Sequence, residues 1–296
     1  MQQAPLVTVY MPTRNRSHLL RRAVDSVRTQ TFTDFELIVV NDCSTDETRS
    51  VLDGLAATDH RIKAVHLDER AGAPTARNRA LFAARGALCT GLDDDDEFLP
   101  NRLADLVGAF DHTYSLVCSG MRFDYGVWDR TVRDSDALII LEDELTADQV
   151  GTQMLTLTER LRSVGGFDPT MPAWQDYDLW TRLIEKFGPA KRIAKVSYVQ
   201  HFDSDNERIS RHGASGAIRF IEKHRDKMNA AQVSGHELEA LMIAQQPLGV
   251  TDFLRLTNRK TVTRTVRYLI TSNIPLTRSI ARVIRSARRR TESLQR

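Results

Sequence analysis

The chain has 296 residues, 41% hydrophobic and 27% charged, which fits a globular protein of one large domain or one domain with an extension. Its scattered cysteines (Cys43, Cys89, Cys118) form no CxxC pair and no apolar run reaches the length of a membrane span, so we expect no disulfide framework, zinc site, signal peptide or transmembrane helix, and a reducing cytoplasm. The net charge of +2 hides an asymmetry: residues 255–296 carry twelve lysines and arginines against one acid, which leaves 29 bases and 38 acids elsewhere, so an anionic partner is expected at that end.

The first hundred residues alternate between predicted strands and helices. Short β-rich runs predict strands at 6–11, 35–40, 62–67 and 87–92. Apolar residues at helical spacing predict a helix around 19–27, and Ser44 with Glu47 matches a capping box that would start a second helix. A third helix is predicted over 74–85, with Gly86 as its C-cap. Strands separated by helices indicate an α/β fold with a mixed, mostly parallel, doubly wound sheet flanked by helices.

Later elements are predicted as strands near 116–118 and 121–123 and as helices at 177–187, 218–228 and 237–246. Two further helices, separated by 273–275, would form a C-terminal extension. Val262, Val266, Leu269 and Ile270 share a face of the first, and Ile280, Val283, Ile284 and Ala287 share a face of the second. Arginines crowd their other positions, a pattern typical of helices at anionic membrane surfaces. Packing on the acidic body or a subunit contact is the alternative.

Polar clusters follow the predicted strands, at the ends where ligands of such sheets bind. They are Pro12-Thr13-Arg14-Asn15, Asn41-Asp42, Asp68 and Asp93-Asp94-Asp95-Asp96. A single site that collects these side chains explains them together. Helix caps or turns are the alternative for each cluster, and we expect that simpler role for Asn15 and Asp46.

The run Asp93–Asp96 concentrates negative charge at the end of a buried strand, which favours a bound cation. Mg²⁺ and Mn²⁺ prefer carboxylate oxygens and often bind through one or two carboxylates plus substrate phosphates. An acidic turn that caps a helix is the alternative. Neither a Gly-x-Gly-x-x-Gly motif nor a Walker lysine loop is present, so an ordinary NAD or ATP site is not expected.

Taken in order, several stretches resemble family 2 glycosyltransferases of the GT-A fold. The matching stretches are 7–15, 35–46, Ala76-Arg77-Asn78, Leu92–Asp96, Gly165-Gly166-Phe167-Asp168 and Gln175–Trp180. The likeness covers about residues 5–200. It implies a catalytic domain over 1–205, with a nucleotide-sugar half at about 1–100 and an acceptor half at 101–205. Beyond it, charge and helical spacing predict a helical extension (206–254) and a basic amphipathic tail (255–296).

The resemblance also implies roles for single residues. Pro12, Thr13 and Arg14 would form the first nucleotide-binding loop, Asp42 would hydrogen-bond uracil, and Arg77 would lie near the diphosphate. Asp93-Asp94-Asp95 resembles the family's DxD motif, with the first acid near the ribose and Asp95 as the preferred ligand of Mn²⁺ or Mg²⁺. His201 lies where some relatives place a metal-ligating histidine, although a surface or core histidine is the alternative.

The family's reaction is transfer of a sugar from a nucleotide donor with inversion at the anomeric carbon. Asp176 matches the position of the general base, and a cap for the helix at 177–187 is its alternative role. A glutamate commonly precedes that aspartate, whereas this chain has Gln175. Trp174 is a candidate acceptor contact, and Trp180 is expected to pack in the core.

The sequence therefore predicts an inverting, metal-dependent glycosyltransferase. Its expected partners are a UDP-sugar, a glycan or lipid-linked acceptor and, through 255–296, an anionic membrane at its cytoplasmic face; nucleic acid is not expected, since the tail has one aromatic, Tyr268, and no reading motif. One alternative is a non-catalytic, membrane-associated polysaccharide assembly protein. Another is a sugar-phosphate nucleotidyltransferase, whose Gly-rich first loop is missing here.

Overall fold

The computed structural model describes residues 4–202, 210–259 and 261–273. The strands are β1 (Val7–Thr13), β2 (Phe35–Asn41), β3 (Ile62–His66), β4 (Leu88–Gly91), β5 (Glu97–Phe98), β6 (Val117–Asp124), β7 (Asp129–Val132), β8 (Ala137–Ile139), β9 (Met154–Leu157) and β10 (Ala190–His201). The helices are α1 (Ser17–Arg28), α2 (Thr48–Thr58), α3 (Ala73–Ala83), α4 (Arg102–Ala109), α5 (Leu141–Thr146), α6 (Thr158–Ser163), α7 (Gln175–Phe187), α8 (Ser210–His224), α9 (Ala230–Ile243), α10 (Val250–Leu256) and α11 (Val262–Asn273).

The strands form one mixed sheet in the order β3-β2-β1-β4-β9-β6-β10-β5, with β7 paired to β6 and β8 to β10. Strands β3, β2, β1 and β4 are parallel neighbours, as are β6 and β10, whereas β9 joins the two groups through antiparallel pairs. The predicted α/β sheet flanked by helices is thereby confirmed.

Burial on both faces of the sheet explains the apolar runs in its strands. Along β1, Val7, Val9 and Met11 pack into one core cluster, whereas Tyr10 packs into the cluster on the other face. Successive side chains of a strand point to opposite faces. A strand covered on both faces must therefore be apolar at nearly every position.

The described residues divide into two compact units. The first comprises residues 4–124, 129–169 and 175–202 and contains the sheet. The second comprises 125–128, 170–174 and the residues from 210 onward. In it, Leu238, Leu248 and Leu256 form a small core against which Phe253 and Leu269 pack. No helix of the described ranges is long and apolar enough to cross a membrane.

Two local predictions about helix ends are wrong. Helix α2 begins at Thr48, not at Ser44: Asp46 Oδ1 accepts the Thr48 amide at 3.0 Å, while Ser44 Oγ accepts the Asn15 amide at 2.9 Å. Helix α3 ends at Ala83 with Ala84 as its C-cap. Gly86 instead lies against β1, where its amide donates to Thr8 Oγ1 at 2.9 Å.

Several later elements were not predicted, namely β5, β7–β10, α4–α6 and α10. The two strands predicted near 116–118 and 121–123 are the single strand β6. Helices α8 and α9 each begin earlier than predicted, and the first tail helix is α11. The second tail helix, with Ile280, Val283, Ile284 and Ala287, lies outside the described residues.

Substituting Gly86 by alanine will destabilise the fold. An added Cβ would lie 2.5 Å from the Thr8 backbone nitrogen and 2.7 Å from the Val7 carbonyl carbon, so strand β1 must shift, at a cost of about 1–3 kcal/mol. Gly54→Ala is the control: it lies within α2 with nothing within 4 Å of its added Cβ, and should stabilise by up to about 1 kcal/mol. Urea unfolding midpoints measure both, and equal midpoints for Gly86→Ala and the wild type would contradict the close approach.

Candidate active site

The structure brings most of the polar clusters to one edge of the sheet. Thr13 ends β1 beside Asn41 of β2, and Tyr10 of β1 pairs with Gly91 at the end of β4. The segment after β4 continues directly into the run Asp93–Asp96. Because these strands are parallel, their carboxyl ends meet at this edge, as the sequence predicts.

The first three aspartates of the run form ion pairs with two arginines, one at the start of α1 and one within α3. Asp93 Oδ1 is 2.7 Å from Arg77 Nη2 of α3. Arg16, the N-cap residue of α1, places Nη1 2.9 Å from Asp94 Oδ1 and 2.6 Å from Asp95 Oδ2. Burial raises the pKa of Asp94 to about 6 and raises that of Asp95, although Arg16 opposes both shifts. The acidic run is thus a set of partly desolvated carboxylates that depend on nearby cations.

Asp96 has a different environment, inside the protein. It is 2% exposed, and burial and the neighbouring Asp95 and Asp93 raise its pKa well above the usual range. Its carboxylate accepts the Tyr198 hydroxyl at 2.7 Å and the His201 amide at 3.0 Å. Asp96 therefore links the end of β10 to the acidic run through these two hydrogen bonds.

Arg77 joins the acidic run to the first turn of α7. Its Nη1 donates to Gln175 Oε1 at 3.1 Å and lies 3.8 Å from Asp176 Oδ1, while its Nη2 contacts Asp93. The guanidinium lies over the Phe167 ring, 5.4 Å from its centroid. Burial alone would lower the pKa of Arg77, but Asp176 and Asp93 hold it above its ordinary value, so this arginine stays charged.

Asn78 explains why two separated stretches of the sequence meet here. Its Nδ2 donates to the Phe167 carbonyl at 2.7 Å, and its Oδ1 accepts the Phe167 amide at 2.8 Å. Gly166, with φ of +69°, lies so close that an added Cβ would be 2.3 Å from Asn78 Oδ1. A glycine is therefore required beside Phe167, and the pair of hydrogen bonds positions the ring under Arg77.

Asp176 lies in the first turn of α7, which begins at Gln175, so the alternative role as a cap before the helix is wrong. Its side chain is 25% exposed, and within the described ranges Oδ1 is buried and makes no hydrogen bond. Burial raises the pKa of Asp176 to about 7; Arg77 opposes this rise, and Asp93 and Asp148 add to it. The carboxylate can therefore take up a proton near neutral pH.

The other predicted nucleotide contacts lie at the same edge. Pro12 and Thr13 are buried in β1, and Arg14 is half-buried, with an Nε that has no acceptor among the described residues. Asp42 accepts the Ala71 amide at 2.6 Å and the Gly72 amide at 3.0 Å. Asp42 therefore fixes the loop that leads into α3, a contact that the sequence did not indicate.

His201 and Asp95, the two predicted metal ligands, have separate partners. His201 Nε2 is 2.7 Å from Glu97 Oε1 and Nδ1 is 3.3 Å from Asp124 Oδ2, whereas Asp95 faces Arg16. No group of three His, Cys, Asp or Glu side chains converges as a metal site in the part of the chain that is described. The carboxylate oxygens of the acidic run nevertheless fit Mn²⁺ or Mg²⁺, which need only one or two of them when phosphates complete the shell.

The roles of Arg16, Asp96 and Tyr198 were not predicted from the sequence. Arg16 lies two residues after the predicted nucleotide-binding loop, so the signal available was a basic residue close to that loop. Trp180 packs in the core as expected, with Nε1 donating to the Gly151 carbonyl. Trp174 packs against Phe220 and His236, at ring distances of 5.8 and 5.6 Å, which gives this half-buried indole a packing role.

The chain is similar in sequence to known proteins. The sequence model of glycosyl transferase family 2 matches residues 8–167. The putative colanic acid biosynthesis glycosyl transferase WcaA of Escherichia coli K12 is 32% identical over 243 residues, which cover 78% of this chain and 85% of that protein.

Solved structures share the fold. Staphylococcus aureus TarS 1–349 in complex with UDP-GlcNAc has a TM-score of 0.62 at 18% identity, over 95% of this chain and 92% of that one. The mannosyltransferase PcManGT of Pyrobaculum calidifontis, in complex with GDP-Man and Mn²⁺, has a TM-score of 0.61 at 20% identity, over 96% of this chain and 81% of that one.

Replacing Arg77 by methionine will cost more stability at high pH than at low pH, because stability will go on falling above the pH at which it levels off in the wild type. Without the guanidinium, the folded-state pKa of Asp176 rises above its wild-type value of about 7. The folded chain then keeps a proton on Asp176 that the unfolded chain releases, so the free energy of unfolding decreases as pH rises up to that folded-state pKa. We expect a loss of about 3 kcal/mol at pH 8, as for a broken buried pair, and a smaller loss at pH 5.5. Thermal unfolding at both pH values measures this. Arg79→Met, at an exposed position of α3, is the control. A loss of stability in Arg77→Met that is the same at both pH values would contradict the effect of Arg77 on the pKa of Asp176.

Proposed function

The chain belongs to glycosyltransferase family 2, and we propose that it moves a sugar from a UDP-sugar to a glycan or lipid-linked acceptor with inversion at the anomeric carbon. The observation that carries this proposal is the arrangement of Asp176. A buried carboxylate oxygen without a hydrogen bond lies 3.8 Å from Arg77, which itself holds the first aspartate of the acidic run. Such an oxygen would accept a hydrogen bond from the hydroxyl of a bound acceptor.

In the proposed reaction, Asp176 is the general base. The acceptor hydroxyl attacks the anomeric carbon on the face opposite the nucleotide, its proton passes to the Asp176 carboxylate, and the bond from that carbon to the diphosphate oxygen breaks with its electron pair on the oxygen. A base is most effective when its pKa lies near the working pH. The pKa of about 7 that burial gives Asp176 meets that condition.

The leaving diphosphate needs cations, and the site offers several. Arg77 and Arg14 lie at the edge of the sheet where the diphosphate would bind, and Arg77 stays charged because Asp93 and Asp176 flank it. Asp95, with His201 as the second proposed ligand, would hold Mn²⁺ or Mg²⁺. When bound, the cation would supply Lewis-acid stabilisation of the leaving group. The complex of PcManGT with GDP-Man and Mn²⁺ supports this choice.

UDP is the proposed nucleotide. Asp42 lies 4% exposed at the end of β2, and each of its carboxylate oxygens accepts one backbone amide. A carboxylate oxygen has more than one lone pair, so a uracil N–H can still donate to it. The UDP-GlcNAc complex of TarS supports a UDP-sugar, and the likeness to WcaA, a putative glycosyl transferase of colanic acid biosynthesis, supports an acceptor in cell-surface polysaccharide synthesis.

We also propose that the basic segment 255–296 binds an anionic membrane surface at the cytoplasmic face. On α11, Val262, Val266 and Ile270 are spaced four residues apart and are 41%, 39% and 50% exposed, while Thr265 and Ser272 are buried. Arg264 and Arg267 occupy other exposed positions of the helix. An exposed apolar stripe next to cations fits a helix that lies in a lipid headgroup region.

Asp176→Asn will abolish transfer and leave UDP binding intact. Loss of a general base lowers kcat by about 10²–10⁴-fold, and asparagine keeps the shape of the side chain. Release of UDP from UDP-sugars, with soluble and lipid-linked acceptor glycans, measures turnover, with GDP-sugars as the donor comparison. Glu185→Gln, an exposed acid on α7, is the matched control. Unchanged turnover in Asp176→Asn would overturn the choice of base, and absence of turnover in the wild type with every donor would favour a non-catalytic assembly protein.

Val266→Asn with Ile270→Asn will weaken membrane binding. The double variant removes apolar burial from the stripe on α11, so we expect at least tenfold weaker partition onto vesicles, since each buried CH₂ contributes about 0.8 kcal/mol. Co-sedimentation with phosphatidylglycerol-containing vesicles measures it, and pure phosphatidylcholine tests the need for anionic lipid. Phe82→Asn with Leu138→Asn is the control, because these side chains, 53% and 57% exposed, lie elsewhere. Equal losses in both double variants would contradict a specific role of the stripe.

A further inference from the structure

Arg16 is fixed by its backbone at the start of α1. Its amide donates to Thr48 Oγ1 at 3.2 Å, and its carbonyl accepts the amides of Leu19 and Leu20, each at 3.0 Å. Its guanidinium side chain is 33% exposed. The cation is therefore anchored at its base and open to solvent on one side.

A single nitrogen of Arg16 bridges two adjacent carboxylates. Nη1 lies 2.9 Å from Asp94 Oδ1 and 2.6 Å from Asp95 Oδ2, and these two side chains are 7% and 11% exposed. Charge-assisted hydrogen bonds of this length are the strong ones. The guanidinium thus pairs with the carboxylate that the proposed metal would use, Asp95, and with its neighbour.

We propose that Arg16 is the resident counter-cation of the Asp94–Asp95 pair and makes metal binding depend on the nucleotide. The inference rests on the metal proposed above. In the chain without nucleotide, Arg16 satisfies both carboxylates, so a bare Mn²⁺ competes with it. When UDP is present, the diphosphate gives the displaced guanidinium a new anionic partner, and the metal and the nucleotide bind together.

Charge explains the direction of this coupling. A bare dication that reaches Asp95 must break hydrogen bonds of Arg16 and then lies beside a guanidinium of like charge. The diphosphate adds negative oxygens that attract both cations, and planar guanidinium groups bind phosphates well. Because coupling between two ligands is reciprocal, Mn²⁺ must strengthen UDP binding by the same factor by which UDP strengthens Mn²⁺ binding.

Arg22 provides a matched comparison on the same helix. Its Nη2 donates to the backbone carbonyl of Asp95, and its Nε is 3.4 Å from Glu97 Oε1. Its side chain is 33% exposed, as is that of Arg16. Arg22 is thus an equally exposed arginine beside the acidic run. It contacts the Asp95 carbonyl and Glu97, and not the side chains of Asp94 and Asp95.

Calorimetry with the full chain tests the proposal. Mn²⁺ is titrated into the wild type, Arg16→Gln, Arg16→Lys and Arg22→Gln, each with and without saturating UDP. We expect UDP to strengthen Mn²⁺ binding at least tenfold in the wild type and in Arg22→Gln. In Arg16→Gln, binding of Mn²⁺ alone should tighten several-fold and the enhancement by UDP should fall. Arg16→Lys, which keeps the charge, should retain most of the enhancement.

The outcomes separate this inference from the metal proposal. If Mn²⁺ binds with UDP but Arg16→Gln keeps the wild-type enhancement, the role of Arg16 is overturned while the metal proposal stands. Equal loss of enhancement in Arg22→Gln would also overturn it, because any nearby charge would then suffice. If Mn²⁺ binds to none of the proteins even with UDP, the metal proposal itself fails, and this inference fails with it.

Discussion

Repulsion among carboxylates at the carboxyl edge of the sheet is the constraint on which the site depends. Asp93, Asp94 and Asp95 follow β4, and Asp176 reaches the same cluster from α7 through Arg77. Removing such groups from water is costly unless cations compensate them. Two arginines supply these cations: Arg16 at the start of α1 and Arg77 on α3. The helices that cover the sheet therefore also set the charge of its carboxyl edge.

Two aspartates in the first turn of α7, Asp176 and Asp178, have different environments. Asp178 is fully buried and receives two hydrogen bonds from Arg182, at 2.7 and 3.0 Å. Arg182 also donates to the carbonyls of Val164 and Gly166, so this pair fixes the loop before Phe167. Asp176, two residues earlier, has only the distant Arg77 as an ion-pair partner among the described residues. The Asp178–Arg182 pair thus fixes the local structure, whereas Asp176, the proposed general base, lies 3.8 Å from Arg77 Nη1.

Strands β1–β4 and β6 and the carboxyl-edge clusters could be predicted from the sequence, because burial on both faces of the sheet leaves apolar runs in the strands. Strands β5 and β7–β10 were not predicted. The helix ends could not be predicted. Ser44 matches a capping box, yet its hydroxyl accepts the amide of Asn15, 29 residues earlier, and Gly86 matches a C-cap but is required by the approach of β1. Arg16 was missed for the same reason: its partners lie 78 and 79 positions along the chain. In each case the role of the residue depends on a contact with a residue far away in the sequence, and a local sequence pattern cannot predict such a contact.

The neutral side chain of Gln175 follows from the same balance of charge. Arg77 Nη1 donates to Gln175 Oε1 at 3.1 Å and lies 3.8 Å from Asp176 Oδ1, so both acceptors share one nitrogen. A glutamate at this position would add a further negative charge beside Asp93 and Asp176, and it would hold the guanidinium more strongly than an amide does. The amide orients Arg77 without adding charge to the cluster. The pKa of Asp176 is then governed by its burial, which Arg77 opposes, and lies at about 7.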